Sequence, residues 1–241
     1  LAGDERAIVT EIAGTTRDSI DAPLTWHGRD LVLVDTAGLR RKSRVTENVE
    51  FYSAIRTQRA IDTCDVAVLL LDGQTGLESQ DIKVLKEAEL AKKGIVIVVN
   101  KWDLVDKETN TSRDYAARIH DRLQTLAYVP VLFISALTKQ RVHRVLEQAV
   151  AVADERQKRV STSKLNEFLD EALQKHNPPS YRGHLVKIKY ATQVRDTPPV
   201  IAFFCNFPKG VNESYRRFLE NRLRETFGFE GVPLTLVFKQ K

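Results

Sequence analysis

The sequence contains no methionine, only two cysteines and no apolar run as long as a bilayer-spanning helix. A transmembrane helix needs about 20 consecutive apolar residues, and no signal peptide is recognisable at the start. We therefore expect a cytoplasmic protein without membrane contacts. Cys64 and Cys205 are far apart in the sequence and have apolar neighbours, which favours two buried thiols over a disulfide or a metal pair.

The 241 residues have the composition of an ordinary globular protein, 42% hydrophobic and 29% charged. Residues 1–160 carry 24 basic and 24 acidic side chains, whereas residues 161–241 carry 13 and 8 and so hold the whole net charge of +5. This shift predicts two domains with a boundary near residue 160. The second segment is the better candidate for an anionic partner, although a solvated basic surface would have the same charge.

Four nearly continuous apolar runs mark the first segment: LVLVD (31–35), VAVLLLD (66–72), IVIVVN (95–100) and VLFIS (131–135). Such runs are typical of strands buried on both faces of a parallel sheet. Stretches of helical length lie between them, at 46–63, 78–93, 112–127 and 139–158. This alternation predicts a doubly wound, mostly parallel α/β domain. DAPLTWHGRD (21–30) predicts an antiparallel edge hairpin that turns at His27 and Gly28.

The second segment predicts a small α+β domain. Hydroxyls from Ser161 to Ser163 can cap a helix that Asn177-Pro178-Pro179 ends. A second helix is predicted over 213–227, with Gly228 at its C-terminal end. Strands are predicted at 184–194, 199–207 and 233–240. The order α-β-β-α-β indicates a small sheet backed by two helices.

Short polar motifs follow three of the apolar runs. They are DTAG (Asp35, Thr36, Ala37, Gly38), NKWD (Asn100, Lys101, Trp102, Asp103) and SAL (Ser135, Ala136, Leu137). Ligands of open parallel sheets bind at the carboxyl ends of the strands. Each motif alone would be weak evidence, because small polar residues after a strand usually form only a turn. All three in this order predict one nucleotide site.

The chemistry of NKWD and SAL favours guanine as the base. The Asp103 carboxylate can accept two hydrogen bonds from a ring N–H and a neighbouring amine, which guanine presents side by side. Adenine has an acceptor there and would leave the carboxylate unpaired, which is expensive in a buried site. We expect Asn100 to bridge loops and the N7 edge, the Lys101 stem to cover the ring, and the Ala136 N–H to reach the base carbonyl.

The remaining motifs suit the phosphates and a magnesium ion. The Asp35 carboxylate can hold a water of bound Mg²⁺, and the backbone N–H of Gly38 can approach a γ-phosphate closely. In GTTRD (residues 14–18), a threonine hydroxyl, for which we favour Thr16, can complete the Mg²⁺ shell when that loop closes. Thr16 and Gly38 are therefore the expected catalytic positions.

GTTRD, DTAGLRRK, NKWD and SAL resemble the second to fifth signatures of a translation-factor-class GTPase. DTAGLRRK followed by EFYSAIRTQRAI and NKWDLVDK is similar, more narrowly, to the Der (EngA) family of bacterial GTPases. That family has two consecutive GTPase domains and a C-terminal KH-like domain. The resemblance covers essentially the whole chain, with residues 1–160 matching the second GTPase domain and 161–241 the KH-like domain. It implies hydrolysis of GTP to GDP with Mg²⁺, and a role in assembly of the large ribosomal subunit.

Two departures from GTPase patterns qualify this expectation. No G-x-x-x-x-G-K-[ST] phosphate loop occurs in the sequence, so we expect a truncated or incompletely recorded chain that begins just after that loop. It would lack its first strand and be impaired in hydrolysis. Leu39 stands where many GTPases have a glutamine that orients the attacking water. The family shares this leucine, which implies slow turnover of GTP. The resemblance also implies potassium as a further cofactor.

The expected partners are the large ribosomal subunit, its rRNA and a preceding GTPase domain, with the chain itself a monomer. Arg40, Arg41 and Lys42 follow the γ-phosphate sensor and form either a solvated loop or a patch presented only in the GTP state. One helix of the second segment predicts a basic face that either contacts RNA phosphates or is merely its outer surface; this face holds Arg216, Arg217, Arg222 and Arg224.

Two other functions remain open. The first is a nucleotide-independent scaffold that binds RNA or ribosomal protein through the basic segment, which the missing phosphate loop supports. The second is a related GTPase of tRNA modification, against which the KH-like segment argues.

Overall fold

The computed structural model describes residues 21–34, 57–106, 108 and 111–241. The first strands, β1 (Ala22–Trp26) and β2 (Arg29–Leu33), pair antiparallel with Ala22 opposite Leu33. The turn between them has positive φ at both His27 (47°) and Gly28 (77°), as tight two-residue hairpins require. The predicted hairpin is confirmed. Among the described residues it forms a two-stranded sheet of its own, in which residues 31–33 of the run LVLVD pair antiparallel and have no parallel partner within the described ranges.

The next three strands form a parallel sheet in the order β3-β4-β5. Their bounds are β3 (Val66–Asp72), β4 (Gly94–Asn100) and β5 (Val131–Phe133). Strand β4 lies in the centre and is buried at every residue except Asn100. The parallel pairing predicted from the three apolar runs is confirmed, because only strands covered on both faces can be apolar throughout.

Helices cover both faces of this sheet. Residues 57–63 are the described part of helix α1. They are followed by α2 (Ser79–Leu90), α3 (Thr111–Leu123) and α4 (His143–Arg156). Side chains of a strand alternate between its faces. Accordingly Val96 and Val98 pack in the hydrophobic cluster that includes α4, whereas Ile95, Ile97 and Val99 pack with α2 and α3.

The second segment folds in the predicted order α-β-β-α-β. Its elements are α5 (Thr162–Lys175), β6 (Ile188–Arg195), β7 (Val200–Cys205), α6 (Glu213–Phe227) and β8 (Thr235–Gln240). Strand β7 is central, antiparallel to β6 and parallel to β8. The Ser161 and Asn212 side chains cap α5 and α6 by accepting backbone N–H bonds, and Gly228 ends α6 with a φ of 88°. The α+β prediction is confirmed.

One hydrophobic cluster crosses from the first segment into the second. It contains Val96, Val98 and Val152 together with Leu165, Phe203, Leu219 and Phe229. Polar contacts join the same two parts of the chain. The Glu155 carboxylate accepts a hydrogen bond from the Phe229 N–H at 2.6 Å, and the Lys158 ammonium donates to the Phe227 carbonyl at 2.6 Å. The division at residue 160 stays a prediction, since packing continues across it.

In the described ranges no helix is both long enough and apolar enough to cross a membrane. The thiol of Cys64 is half-buried and that of Cys205 is buried, and both are free. Burial raises the pKa of both thiols, so neither carries the reactive, easily ionised character of a catalytic cysteine.

Candidate functional site

The candidate site lies at the carboxyl ends of β3, β4 and β5. In the parallel register Asp72 is opposite Asn100, and Val99 is opposite Phe133. Backbone bonds continue the pairing past the end of β5, because Ile134 N–H donates to Val99 at 2.9 Å. Trp102 N–H in turn donates to Ile134 at 3.0 Å. The sheet therefore brings the NKWD and SAL motifs to one edge.

The Asn100 side chain joins the two motif loops. Its Oδ1 atom accepts a hydrogen bond from the backbone N–H of Ala136 at 3.0 Å. This N–H was expected to reach the carbonyl of a base, whereas here it donates within the protein. The bond fixes the Ser135–Leu137 loop beside the end of β4.

The Lys101 side chain reaches across to the neighbouring strand. Its backbone has a φ of 58°, in the left-handed region that non-glycine residues seldom occupy. Its ammonium lies 2.5 Å from Oδ2 of Asp72. Sequence reasoning assigned Asp72 no role, although Asp72 ends the run VAVLLLD as Asn100 ends the next run. This shared position at the end of a strand was the sequence signal from which a role for Asp72 could have been predicted.

Asp103 lies in a short 3₁₀ turn, Trp102–Leu104, directly after Lys101. The turn is anchored by the Trp102 ring, which is 5% exposed and packs on Phe133 and Tyr115 at centroid distances of 4.4 Å and 5.4 Å. The Oδ1 atom of Asp103 is buried and has no hydrogen-bond partner in the described part of the chain. A buried, unpaired carboxylate oxygen is costly, so this atom fits a site that receives a donor from a ligand.

The SAL loop contributes backbone more than side chains. Ser135 is fully buried, and its Oγ atom accepts a hydrogen bond from the Thr138 N–H at 3.1 Å. Its own N–H donates to Gln140 at 3.1 Å. Leu137 is 85% exposed. Ser135 thus stabilises the loop from within, and the Leu137 side chain projects away from the packed interior.

The phosphate and magnesium end of the predicted site falls outside the described residues. This applies to Thr16, Asp35, Thr36, Ala37, Gly38, Arg40, Arg41 and Lys42. In the ranges that are described, no three His, Cys, Asp or Glu side chains come close enough to form a metal site.

The predicted basic face of α6 requires a correction. Arg224 donates to the carbonyl oxygens of Phe229 and Val232 at 2.8 Å and 2.9 Å, and its guanidinium lies 3.7 Å from the centre of the Tyr128 ring. Its side chain is 12% exposed. It is committed to internal contacts and is not free for RNA phosphates.

The other α6 arginines differ from one another. Arg216 donates to the Val211 carbonyl at 3.1 Å and covers the Phe238 ring, whereas Arg217 is 67% exposed. Arg222 pairs with Glu225. The prediction of one continuous exposed basic face is therefore wrong, because Arg216 and Arg224 turn inward to donate to carbonyls and cover aromatic rings.

Comparison with known proteins finds a family match in two parts of the chain. Residues 1–101 match the family described as 50S ribosome-binding GTPase. Residues 159–239 match the family described as the KH-domain-like C-terminal part of EngA bacterial GTPase enzymes. Sheet, helices and family matches together define a chain of the GTPase fold class that carries a KH-like C-terminal part.

The relatives narrow this class. GTPase Der of Chlorobium phaeobacteroides (strain BS1) is 50% identical over all 241 residues, and GTPase Der of Flavobacterium psychrophilum is 49% identical over the same length. The chain belongs to the Der (EngA) family of GTPases. It spans 55% of the length of these curated relatives. A solved complex of Era with MgGDPNP and 16S rRNA nucleotides 1506–1542 aligns with 99% of this chain and 85% of its own, at 16% identity and a TM-score of 0.47.

Proposed function

We propose that the chain binds a guanine nucleotide at the rim formed by Asp72, NKWD and the SAL loop, as part of a GTP-hydrolysing switch. The observation that carries the proposal is the buried Oδ1 atom of Asp103, which has no hydrogen-bond partner among the described residues. Asp103 lies three residues beyond the end of β4, at the edge where open α/β sheets bind ligands. A ligand that donates hydrogen bonds there relieves the cost of an unpaired buried oxygen.

Guanine supplies the donors that this carboxylate lacks. Its ring N–H and exocyclic amine would each donate to one oxygen of Asp103, whereas adenine presents an acceptor and no amine at that edge. Sites built on such hydrogen bonds reject the analogue that lacks them by large factors. The Lys101 stem would cover one face of the ring, and the Ala136 N–H would become available to the base carbonyl if Asn100 releases it.

The reaction we propose is hydrolysis of GTP to GDP and phosphate. Asp35 and Thr16 would hold Mg²⁺, which supplies positive charge to the phosphate oxygens. The Gly38 N–H would contact the γ-phosphate. Because Leu39 cannot orient a water by hydrogen bonding, we propose slow intrinsic turnover, with potassium as the family's candidate for a further cation.

The biological role we propose is assembly of the large ribosomal subunit in the bacterial cytoplasm. Two observations support it: the description of the family that matches residues 1–101 as ribosome-binding, and the location of the whole +5 charge in residues 161–241. The curated relatives are nearly twice as long as this chain, which supports a preceding GTPase domain as a further partner.

A titration of the chain with fluorescent GDP and fluorescent ADP, each with Mg²⁺, tests the nucleotide proposal. We expect saturable binding of GDP, competed by unlabelled GDP but not by ADP. Equal binding of the two nucleotides, or binding of neither up to millimolar concentration, would contradict it.

A nucleotide-independent RNA scaffold is the second candidate, favoured by the charge of the second segment. Binding to large-subunit precursor rRNA, measured with and without GDP and over a range of salt, separates the two functions. Binding with a steep salt dependence and no effect of GDP would favour the scaffold. Preference for tRNA over precursor rRNA would favour the tRNA-modification class.

A further inference from the structure

We propose that Asp72 is a positioning residue for nucleotide binding, which holds the Lys101 side chain along the rim so that its stem is already placed as a wall of the base slot. The inference rests on the proposed function, because the slot is defined by a guanine bound to Asp103.

Both oxygens of the Asp72 carboxylate are held. Oδ1 accepts a hydrogen bond from the backbone N–H of Gln74 at 2.9 Å, and Oδ2 lies 2.5 Å from the Lys101 ammonium. The hydrogen bond from Lys101 lowers the pKa of Asp72, and the bond from Gln74 adds to this effect, so the group is an anion at neutral pH. Asp72 therefore offers Lys101 a fixed counter-charge and not a mobile one.

The backbone that carries Asp72 is itself fixed to the end of β4. The Gly73 N–H donates to the Asn100 carbonyl at 2.8 Å, and the Tyr115 hydroxyl donates to the Gly73 carbonyl at 3.0 Å. A Cβ atom at Gly73 would lie 3.0 Å from the Asn100 oxygen, so the two strand ends are in close contact. These contacts set the distance between the Asp72 carboxylate and the start of NKWD.

Lys101 needs such a partner because its stem has several rotatable bonds. An unpaired lysine on a surface samples many rotamers, and fixing it when a ligand arrives costs conformational entropy. With its ammonium on Asp72, the stem spans from the end of β4 to the end of β3. Lysine stems can cover apolar surface while their charge stays solvated or paired, and the Lys101 side chain is still 53% exposed on its outer side.

The ion pair contributes little to the stability of the fold. Pairs at this degree of exposure typically stabilise a protein only weakly. Removing the pair therefore leaves the chain folded, and an effect on nucleotide binding can be measured separately from unfolding.

A double-mutant cycle tests the proposal. The variants are Asp72→Asn, Lys101→Met and the two combined, each titrated with fluorescent GDP in the presence of Mg²⁺. Asparagine keeps the bond from Gln74 but offers no charge to Lys101, and methionine keeps most of the stem without the ammonium. We expect Asp72→Asn alone to weaken GDP binding about two- to fivefold. We expect the double variant to bind GDP with the same affinity as Lys101→Met alone.

Asp62→Asn is the matched control. Asp62 is an exposed acid of α1 that accepts a hydrogen bond from Gln58 and lies away from the rim. We expect its GDP affinity and its midpoint of urea unfolding to equal those of the unmodified chain. We expect Asp72→Asn to leave the midpoint of urea unfolding unchanged as well, as is usual for surface substitutions.

The outcomes separate this proposal from the proposed function. If the unmodified chain binds GDP and Asp72→Asn binds it equally well, Asp72 does not position Lys101 and guanine binding stands. If Asp72→Asn weakens binding equally in the Lys101→Met chain, its effect does not act through Lys101 and the positioning role is wrong. If the unmodified chain binds no GDP, the proposed function fails and the positioning role fails with it.

Discussion

The backbone N–H of Ile95 donates a hydrogen bond to the carbonyl oxygen of Gly231 at 2.7 Å. Ile95 lies near the start of β4, and Gly231 lies in the loop between α6 and β8. The Gly231 N–H donates in turn to the Tyr128 carbonyl at 2.8 Å. The strand that leads to the candidate site is thus tied, at its opposite end, to the KH-like part of the chain.

Replacing Gly231 by alanine should weaken this junction. Its φ is +69°, and an added Cβ would lie 2.7 Å from a Val152 methyl and 2.8 Å from the Ile95 oxygen. Left-handed strain and overpacking together should lower the free energy of unfolding by roughly 2–4 kcal/mol in urea titrations. Gly183→Ala is the control, because Gly183 has a φ of +80° with nothing within 4 Å of the added Cβ. Equal losses for the two variants would contradict the close contact at Gly231.

Arg224 should matter for stability and Arg217 should not. Arg224→Ala removes the guanidinium hydrogen bonds to the Phe229 and Val232 carbonyls and the cation over Tyr128. We expect urea denaturation to show a loss of about 2–4 kcal/mol. Arg217 is exposed and pairs with Glu213 at 3.4 Å, so Arg217→Ala should cost no more than about 0.5 kcal/mol. A larger loss for Arg217 than for Arg224 would reverse this assignment.

The shared hydrophobic cluster predicts one cooperative unfolding transition. Both tryptophans, Trp26 and Trp102, lie in the first segment, so their fluorescence reports on that part, whereas circular dichroism reports on the whole chain. The two signals should change at the same urea concentration. Phe229→Ala, at a fully buried position of the cluster, should lower the free energy of unfolding by about 3–5 kcal/mol. Both unfolding curves should then move together to lower urea concentration. Separation of the two curves in the unmodified chain would indicate independent halves.

Asp103→Asn should move nucleotide preference from guanine towards xanthine. The new amide donates a hydrogen bond to the 2-oxo group of xanthine, where guanine has an amine that needs an acceptor. Competition of fluorescent GDP by xanthosine diphosphate, in the unmodified chain and the variant, measures the change. Unchanged preference for GDP in the variant would mean that Asp103 does not read the base.

Tyr215 should make stability fall at alkaline pH. Burial raises its pKa to about 12, from an ordinary value of 10.0. The stabilisation is therefore complete below pH 10 and is lost as the pH rises from 10 towards 12. Tyr215→Phe removes the 2.8 Å bond from the hydroxyl to the His176 carbonyl, at a cost of about 1 kcal/mol near neutral pH. The unfolding free energy of this variant should then depend less on pH between 10 and 12, and an unaltered dependence would assign the effect to other groups.

The elements were predictable because their signals are local. Helix α6 has the bounds Glu213–Phe227 that its spacing of apolar residues and Gly228 predicted, and β3 matches the run at 66–72. The edge hairpin followed from the His27-Gly28 turn in the same way. For the candidate site, the rule that ligands bind at strand ends was sufficient to group NKWD with SAL at one edge.

The partners of individual side chains were not predictable. Asp72 and Lys101 are 29 residues apart, and only the parallel register of β3 and β4 places them together. Arg224 has the same charge as Arg217 on the same helix, and only the loop that folds back over α6 makes one internal and the other exposed.

The sequence by itself determined the order of strands and helices and the edge of the sheet where the polar motifs meet, since periodicity, caps and turns act over a few residues. The tertiary structure decided the Asp72–Lys101 pair, the burial of the Asp103 oxygen, the inward arginines of α6 and the continuous cluster across residue 160. Each of these depends on which distant segments pack together, and that is settled by the burial of apolar surface over the whole chain.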